Sequence, residues 1–509
     1  MMIATKKIAA RAIAVCATGI FVHISALAAI PIQHWTQASG AQVYLVESPA
    51  IAMVDVQIDF DAGSRRDPPG QAGLAGMTAN MLEKGVRAST GASVGAMAAS
   101  AGPPQARPAL SGGSAVREAT SVGAMTTSAG SSQARPAPSG GSAVREATSV
   151  GAMDENALGE AWADLGAQFG ASASNDRMSF SLRSLTESAL LDQAVTLAAR
   201  QIAEPAFPDA VWQRERQRLQ AALKESYTRP GSVAGRAYSQ AVYGQHPYGY
   251  EVTEATLARI GVADLRAAHG AGINACRARI SIVGAVTRLQ ADAIAAGLLS
   301  RLPPVPCASL APMPVVPEVA ALVQAQEKSI PFNSAQAQVL IGQPGIKRAD
   351  PDYFALLVGN YILGGGGFVS RLTNEVREKR GLTYGVSSSF SPGLHAGSFT
   401  VGLQTRPDQT AQAVQIVRQV VSDFVASGPL ETELQAAKDN LVGGFALRID
   451  SNRKLLGNLA GIAWNDLPLD YLDTWTQQVE KLTVADVKAA FARTLQPGKM
   501  VTVILGAAQ

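Results

Sequence analysis

The five histidines of this 509-residue chain stand at positions 23, 34, 246, 269 and 395, and no two are three or four residues apart. Two imidazoles share a metal ion from one helix face only at such spacing, so no helical two-His site is encoded. Three cysteines, Cys16, Cys276 and Cys307, are too few for a Cys-rich zinc or iron–sulfur centre or for a disulfide scaffold. A different feature lies at Leu363–Leu372, where Gly364, Gly365, Gly366 and Gly367 follow one another. It is not a phosphate loop, because no Gly-Lys-Ser/Thr follows and no strand leads into it. Four glycines exceed the single φ > 0 residue of a helix-to-helix turn, and their exposed N–H groups would let a peptide approach closely. The net charge of +3, from 43 basic and 40 acidic residues, excludes a chain-wide nucleic-acid binder. With 47% hydrophobic and 16% charged residues, the chain is globular rather than disordered.

The elements that must hold these residues are arranged in two halves. At this length a single core is excluded and two or more domains are expected. Val262-Ala263-Asp264-Leu265-Arg266-Ala267-Ala268 is repeated as Val484-Ala485-Asp486-Val487-Lys488-Ala489-Ala490, and Ile280–Gly284 as Thr502–Gly506, both 222 residues on. Each pair predicts a short helix followed by a buried strand. Further strands are predicted at Gln42–Glu47, Val54–Phe60 and Met178–Leu182, and near 335–341, 383–390 and 397–404. Helical periodicity covers 72–84, 188–203, 208–226, 350–362, 408–426, 430–446 and 483–493. Long helices alternating with adjacent strand pairs predict an α+β fold of two homologous domains from an internal duplication. The predicted boundaries are 29–305 and 321–509, joined by a proline-rich linker at 306–320.

Two segments stand outside that plan. Lys6, Lys7 and Arg11, an apolar run and Ala26-Leu27-Ala28 predict a signal peptide over 1–28, hence an exported, periplasmic protein with no membrane span after cleavage. Export would place Cys276 and Cys307 where a disulfide can form, although their proximity is not given by the sequence. Residues 93–120 recur at 121–148 with 23 of 28 positions identical, in Gly, Ala, Ser and Pro. Such a composition cannot offset its ordering entropy, so about 88–152 is predicted to be a disordered insertion in the first domain.

Val54–Val86 resembles the zinc-helix segment of the pitrilysin/insulinase metallopeptidases, the inverted zincins that include the processing peptidases. Their G-L-A-H-x-x-E-H-M-L-x-K-G is matched by Gly73, Leu74, Ala75, Met81, Leu82, Lys84 and Gly85. The resemblance extends over Gly166–Leu182, Tyr243–Tyr250 and Val358–Phe390, and it implies two peptidase-like α+β domains. The positions of the family's two His ligands and Glu base are Gly76, Asn80 and Ala79. Its third ligand falls near Gln213, with Glu215 the nearest carboxylate. No metal is therefore expected in this chain, and one carboxylate cannot build a three-ligand zinc site.

Val376–Tyr384 resembles the family's L-R-E-x-x-G-L-x-Y. The resemblance assigns Arg377 and Tyr384 to the pair that contacts substrate opposite the zinc, with Arg380 the rival arginine. A guanidinium fork suits a peptide carbonyl or carboxylate, and a phenol can donate to an oxyanion. By the same resemblance, Gly364–Gly367 corresponds to a glycine-rich loop implicated in substrate recognition. The expectation is a non-catalytic, substrate-binding subunit, inactive alone and paired with a homologous H-x-x-E-H subunit that carries the zinc. The alternative is a catalytically inert peptide-binding or structural scaffold.

Overall fold

The computed structural model describes residues 30–88 and 151–506. The expected signal peptide and the two repeats of the expected insertion lie outside the described residues. Residues Arg87–Met153 separate as a unit of their own; the two large sheets belong to the other unit, Met1–Val86 with Asp154–Gln509.

The first sheet has six strands, in the order Gln33–Thr36, Gln42–Glu47, Arg279–Gly284, Met53–Phe60, Met178–Leu185, Gln168–Ala173. The second has five, in the order Gln326–Ile330, Val501–Leu505, Ala337–Pro344, Ser398–Thr405, Thr383–Phe390. Gln42–Glu47 runs parallel to Arg279–Gly284, as Gln326–Ile330 does to Val501–Leu505, and every later pairing in both sheets is antiparallel. Apart from the additional edge strand Gln33–Thr36, the sheets share one topology. The helices repeat as well. Those beginning at Ser188, Asp209, Pro230 and Val262 reappear 222 residues on, at Thr410, Glu431, Asn452 and Val484.

Local chemistry repeats with them. Asp264 accepts the Gly261 N–H at 2.8 Å, and Asp486 accepts the Thr483 N–H at the same distance. Each aspartate closes the start of its helix by bonding back to the N-cap residue. The halves are α+β domains of common descent.

The two domains exchange a helix. Pro230–Tyr243, from the first half, packs on strands Ala337–Pro344 and Val501–Leu505 of the second. Ala234, Ala237, Tyr238 and Val242 bury there against Val501, Val503 and Leu505. Reciprocally, Asn452–Trp464 packs on strands Arg279–Gly284 and Met53–Phe60 of the first half. Its C-terminal carbonyls at Ala463 and Trp464 accept from Arg279, a cation placed at the negative end of the helix dipole. Arg279 also pairs with Asp466 at 2.7 Å, and Arg177 bridges Asp59 at 2.8 Å and the Ala460 carbonyl at 3.3 Å. Each exchanged large aliphatic side chain adds about 1.5–3 kcal/mol through burial, so the halves hold one another.

The proline-rich connection is not a free tether. A disulfide joins Cys276 to Cys307 across 31 residues of sequence and fixes the start of the connection to the first domain. Gly40, at φ +88°, lies under it; a Cβ there would sit 2.5 Å from Cys307 Sγ.

Candidate functional site

The segment that carries the family motif forms helix Leu74–Met81, entered through Gly73 at φ +103°. Only glycine adopts that conformation at no cost. The Asp67 carboxylate accepts the N–H groups of Gly73 at 2.8 Å and Ala75 at 2.9 Å, capping the helix start. Burial of Asp67 outweighs those donors and pushes its pKa up to about 6. Sequence reasoning missed this aspartate; its place six residues before the motif glycine was the available signal.

Gly76 and Asn80 stand one turn apart and half-buried, with Ala79 fully buried beside them. A Cβ at Gly76 would meet nothing within 4 Å, so the space that a ligand side chain would occupy is open. Gln213, on helix Asp209–Ser226, accepts from Arg216 Nη2 at 2.6 Å. Glu215 is buried on the same helix with Arg214 at 3.4 Å and Arg218 at 3.5 Å. The residues present do not fit zinc. The three ligand positions offer a hydrogen at Gly76 and carboxamides at Asn80 and Gln213, and the nearest carboxylate, Glu215, faces two guanidinium groups. Among the described residues no group of three His, Cys, Asp or Glu side chains gathers to hold a metal.

In the second half, helix Tyr353–Asn360 passes directly into a π-helical turn, Tyr361–Gly365, and then a 3₁₀ turn, Gly367–Val369. The glycines are therefore helix end and turn rather than a free loop. A Cβ at Gly364 would lie 2.5 Å from Ser388 Oγ, and one at Gly366 would lie 2.7 Å from the Tyr361 carbonyl. At Gly365 it would meet the Asn360 carboxamide at 2.8 Å, while Gly367 needs glycine for its φ of +62°. The carboxamide of Asn360 bonds the backbone and hydroxyl of Ser388 at 3.1 and 2.7 Å, docking the turn on strand Thr383–Phe390. Close packing accounts for three of the glycines. Together they project Phe368 and Val369 into solvent, 72% and 76% exposed.

Arg377 lies in a second π-helical turn, Thr373–Glu378, with its guanidinium 4.7 Å from the centre of the Phe368 ring. It also contacts Glu378 at 3.4 Å. Arg380 differs: it is tied to the Glu375 carbonyl and carboxylate, both at 2.7 Å. Tyr384 sits in a β-bulge, where the pairing with Ser398–Thr405 shifts between Thr383 and Val386. Thr383 Oγ1 closes the bulge by donating to the Gln404 carbonyl at 2.6 Å and accepting the Gly385 N–H at 3.1 Å. The bulge turns Tyr384 outward, 86% exposed, and its hydroxyl has no partner among the described residues. The Gly381 N–H donates to the Arg377 carbonyl at 2.8 Å, bracing the turn that connects the two residues.

Comparison with known proteins converges on one family. A profile described as "Peptidase M16 inactive domain" matches residues 259–441. The crystal structure of a peptidase M16 inactive domain from Pseudomonas fluorescens is 31% identical, covers 94% of this chain and 98% of its own, and superimposes with a TM-score of 0.76. The chain belongs to the peptidase M16 family. Curated relatives of this M16 chain include an uncharacterized zinc protease of Streptomyces coelicolor, 33% identical over 156 residues. Another is the non-peptidase homolog YmxG of Helicobacter pylori, 32% identical over 164 residues. These matches take in about a third of this chain and only 33% and 37% of the relatives' own lengths. The periplasmic protease PqqL of Escherichia coli, 17% identical with a TM-score of 0.69, shares the fold over 94% of this chain and 46% of its own. No helix among the described residues of the M16 chain is long and apolar enough to cross a membrane.

Proposed function

We propose that this chain is the non-catalytic, substrate-binding subunit of an exported two-chain M16 peptidase. It has lost the zinc positions at Gly76, Ala79 and Asn80 while keeping Arg377 and Tyr384. The observation that carries the reading is the presentation of that pair. Arg377 rests on Phe368 and touches Glu378, with no other side-chain partner for its guanidinium among the described residues, and Tyr384 is held in the open by a bulge. A buried scaffold position needs neither arrangement. The partner is a homologous chain with an intact H-x-x-E-H, where hydrolysis takes place. This chain's guanidinium would bind a peptide carbonyl, its phenol would donate to the developing oxyanion, and the turn Gly364–Gly367 would set the neighbouring backbone. Export to the periplasm is supported by the Cys276–Cys307 disulfide, a bond that persists in oxidising compartments.

The test is reconstitution with such a homologue from the same source, with peptide cleavage and gel filtration followed together. The chain alone should be inert and the mixture active. Arg377→Ala or Tyr384→Phe should lower turnover by on the order of 10²–10³ without preventing assembly, and Arg380→Ala should matter little. Unchanged turnover in both variants rejects the catalytic-partner reading and leaves an inert peptide-binding or structural scaffold.

A further inference from the structure

The connection between the halves is seated on the first domain at a regular interval. The carbonyls of Ala311, Pro314 and Pro317 accept from Arg277 Nη2, Arg66 Nη1 and His246 Nε2 respectively. Three residues separate each acceptor from the next, which is the repeat of a polyproline II helix, so all three carbonyls face one side. Pro306 and Leu310, which flank the 3₁₀ turn Cys307–Ser309 just before this stretch, are extended, at φ/ψ of −59°/130° and −74°/119°. The near end is covalent, through Cys276–Cys307. The far end rests on a histidine.

His246 is 5% exposed and uses both ring nitrogens. Nε2 donates to the Pro317 carbonyl at 3.0 Å, and Nδ1 accepts the Tyr248 N–H at 3.1 Å. Only the neutral ring can do both; an added proton would set a donor at Nδ1 against the Tyr248 N–H. The ring also lies 5.2 Å from that of His395, which comes from the second half on the turn before strand Ser398–Thr405. His395 Nδ1 is 3.2 Å from Glu318, the residue after Pro317, and Glu318 pairs with Lys347 at 2.6 Å. The remaining groups facing the pair are Tyr243, Tyr248 and the Asp176–Arg65 ion pair at 3.2 Å, with Asp176 also accepting the Tyr248 hydroxyl at 2.5 Å.

We propose that residues 307–318 are a strap whose far end is latched by pH, docked while His246 is neutral and released from the first domain when His246 takes a proton. The direction follows from the surroundings. Burial, and then His395, hold the His246 pKa below its ordinary value. The docked state therefore binds fewer protons than the released one, so docking is favoured above the ordinary histidine pKa of about 6.5 and is lost as pH falls. The disulfide keeps the near end in place throughout, so release exposes backbone without detaching the strap.

The experiment is limited proteolysis of the intact chain at pH 7.5 and 5.5. Cleavage within 311–322 is normalised to a synthetic peptide of that sequence at each pH, with circular dichroism reporting the fold. Cleavage of the wild type should rise several-fold at pH 5.5. His246→Gln, which can keep a donor toward Pro317 but cannot be protonated, should remain protected at both. His395→Gln should move the transition to higher pH, because it removes a neighbour that, after burial, holds His246 below its ordinary value. Equal protection of the wild type at both pH values overturns the latch. So does a folded His246→Gln variant that keeps the pH dependence, or a transition that His395→Gln leaves unmoved or lowers. Should His246→Gln fail to fold, the wild type still decides: the cleavage midpoint must coincide with the midpoint of the His246 ring resonance in an NMR titration, and a mismatch rejects the proposal.

Discussion

The hydroxyl of Tyr238, on a helix of the first half, donates to the main-chain carbonyl of Phe399 in the second half at 2.9 Å. Gly342 makes room for it: a Cβ there would lie 2.1 Å from that hydroxyl and 2.0 Å from the carbonyl. The donor, the acceptor and the missing side chain define the tightest point of the helix exchange. Tyr238→Phe should cost about 1 kcal/mol, the usual net value of such a bond, with more if the Phe399 carbonyl is left unsatisfied. Gly342→Ala should cost more, because neither backbone nor buried phenol can give way. Urea denaturation checks both, and a Gly342→Ala midpoint at or above that of the wild type would contradict the packing described.

Removal of the disulfide should be felt across the whole fold. Closing a loop of 31 residues is worth about 3–4 kcal/mol in the chain-entropy description. Cys276→Ser with Cys307→Ser should lower the melting temperature by several degrees, and reduction of the wild type should match it. Equal melting of oxidised and reduced protein would show that the strap is held without the bond.

Asp67 provides a stability signature in pH. Its folded-state pKa of about 6 lies above the ordinary carboxyl value, so the native state binds the proton more tightly than the unfolded chain. Its contribution is largest below about pH 4 and is lost as pH rises through 6. Relative to Asp67→Asn, the wild type should gain about 1.4 kcal/mol between pH 7.5 and 5. The difference between the two proteins isolates Asp67 from the opposite trend of His246. A constant difference across that range would mean that Asp67 is ionised throughout.

Zinc should not copurify with the chain. The ligand positions carry Gly76 and Asn80, and Glu215 is engaged by Arg214 and Arg218. Elemental analysis of protein prepared without a metal-affinity resin should give well under one zinc per chain. One tightly held ion would require ligands other than those described.

Much of this architecture is legible in the amino-acid order. Ser188–Ala203 and Thr383–Phe390 lie where periodicity puts them, and the 222-residue repeat of Val-Ala-Asp proves to be a capping aspartate in each half. The misses share a physical cause. Gln326–Ile330 is an exposed edge strand whose polar residues pair with a single neighbour, so no alternation marks it. Gln168–Ala173, the opposite edge of the other sheet, is too small-sided to stand out. Pro230–Tyr243 contains two glycines, and its apolar face makes sense only against strands that lie more than 90 residues away. At the site, the glycine run suggested a free loop because sequence gives no sign that Ser388 and Tyr361 press against Gly364 and Gly366. The bulge that exposes Tyr384 is likewise a property of strand pairing rather than of residue type.

The helix exchange sets a schedule for folding. The apolar face of Pro230–Tyr243 is completed by Val501, Val503 and Leu505, residues of the second half that are made only after the whole first half. The first domain therefore cannot bury that helix before the second half is made, and its own sheet waits for Asn452–Trp464. Contacts at such separations must pay loop-closure entropy before they return any stabilisation, which makes late, slow assembly the rule. A first half built this way stays open until the second half has been made, so neither half is expected to fold as a separate unit.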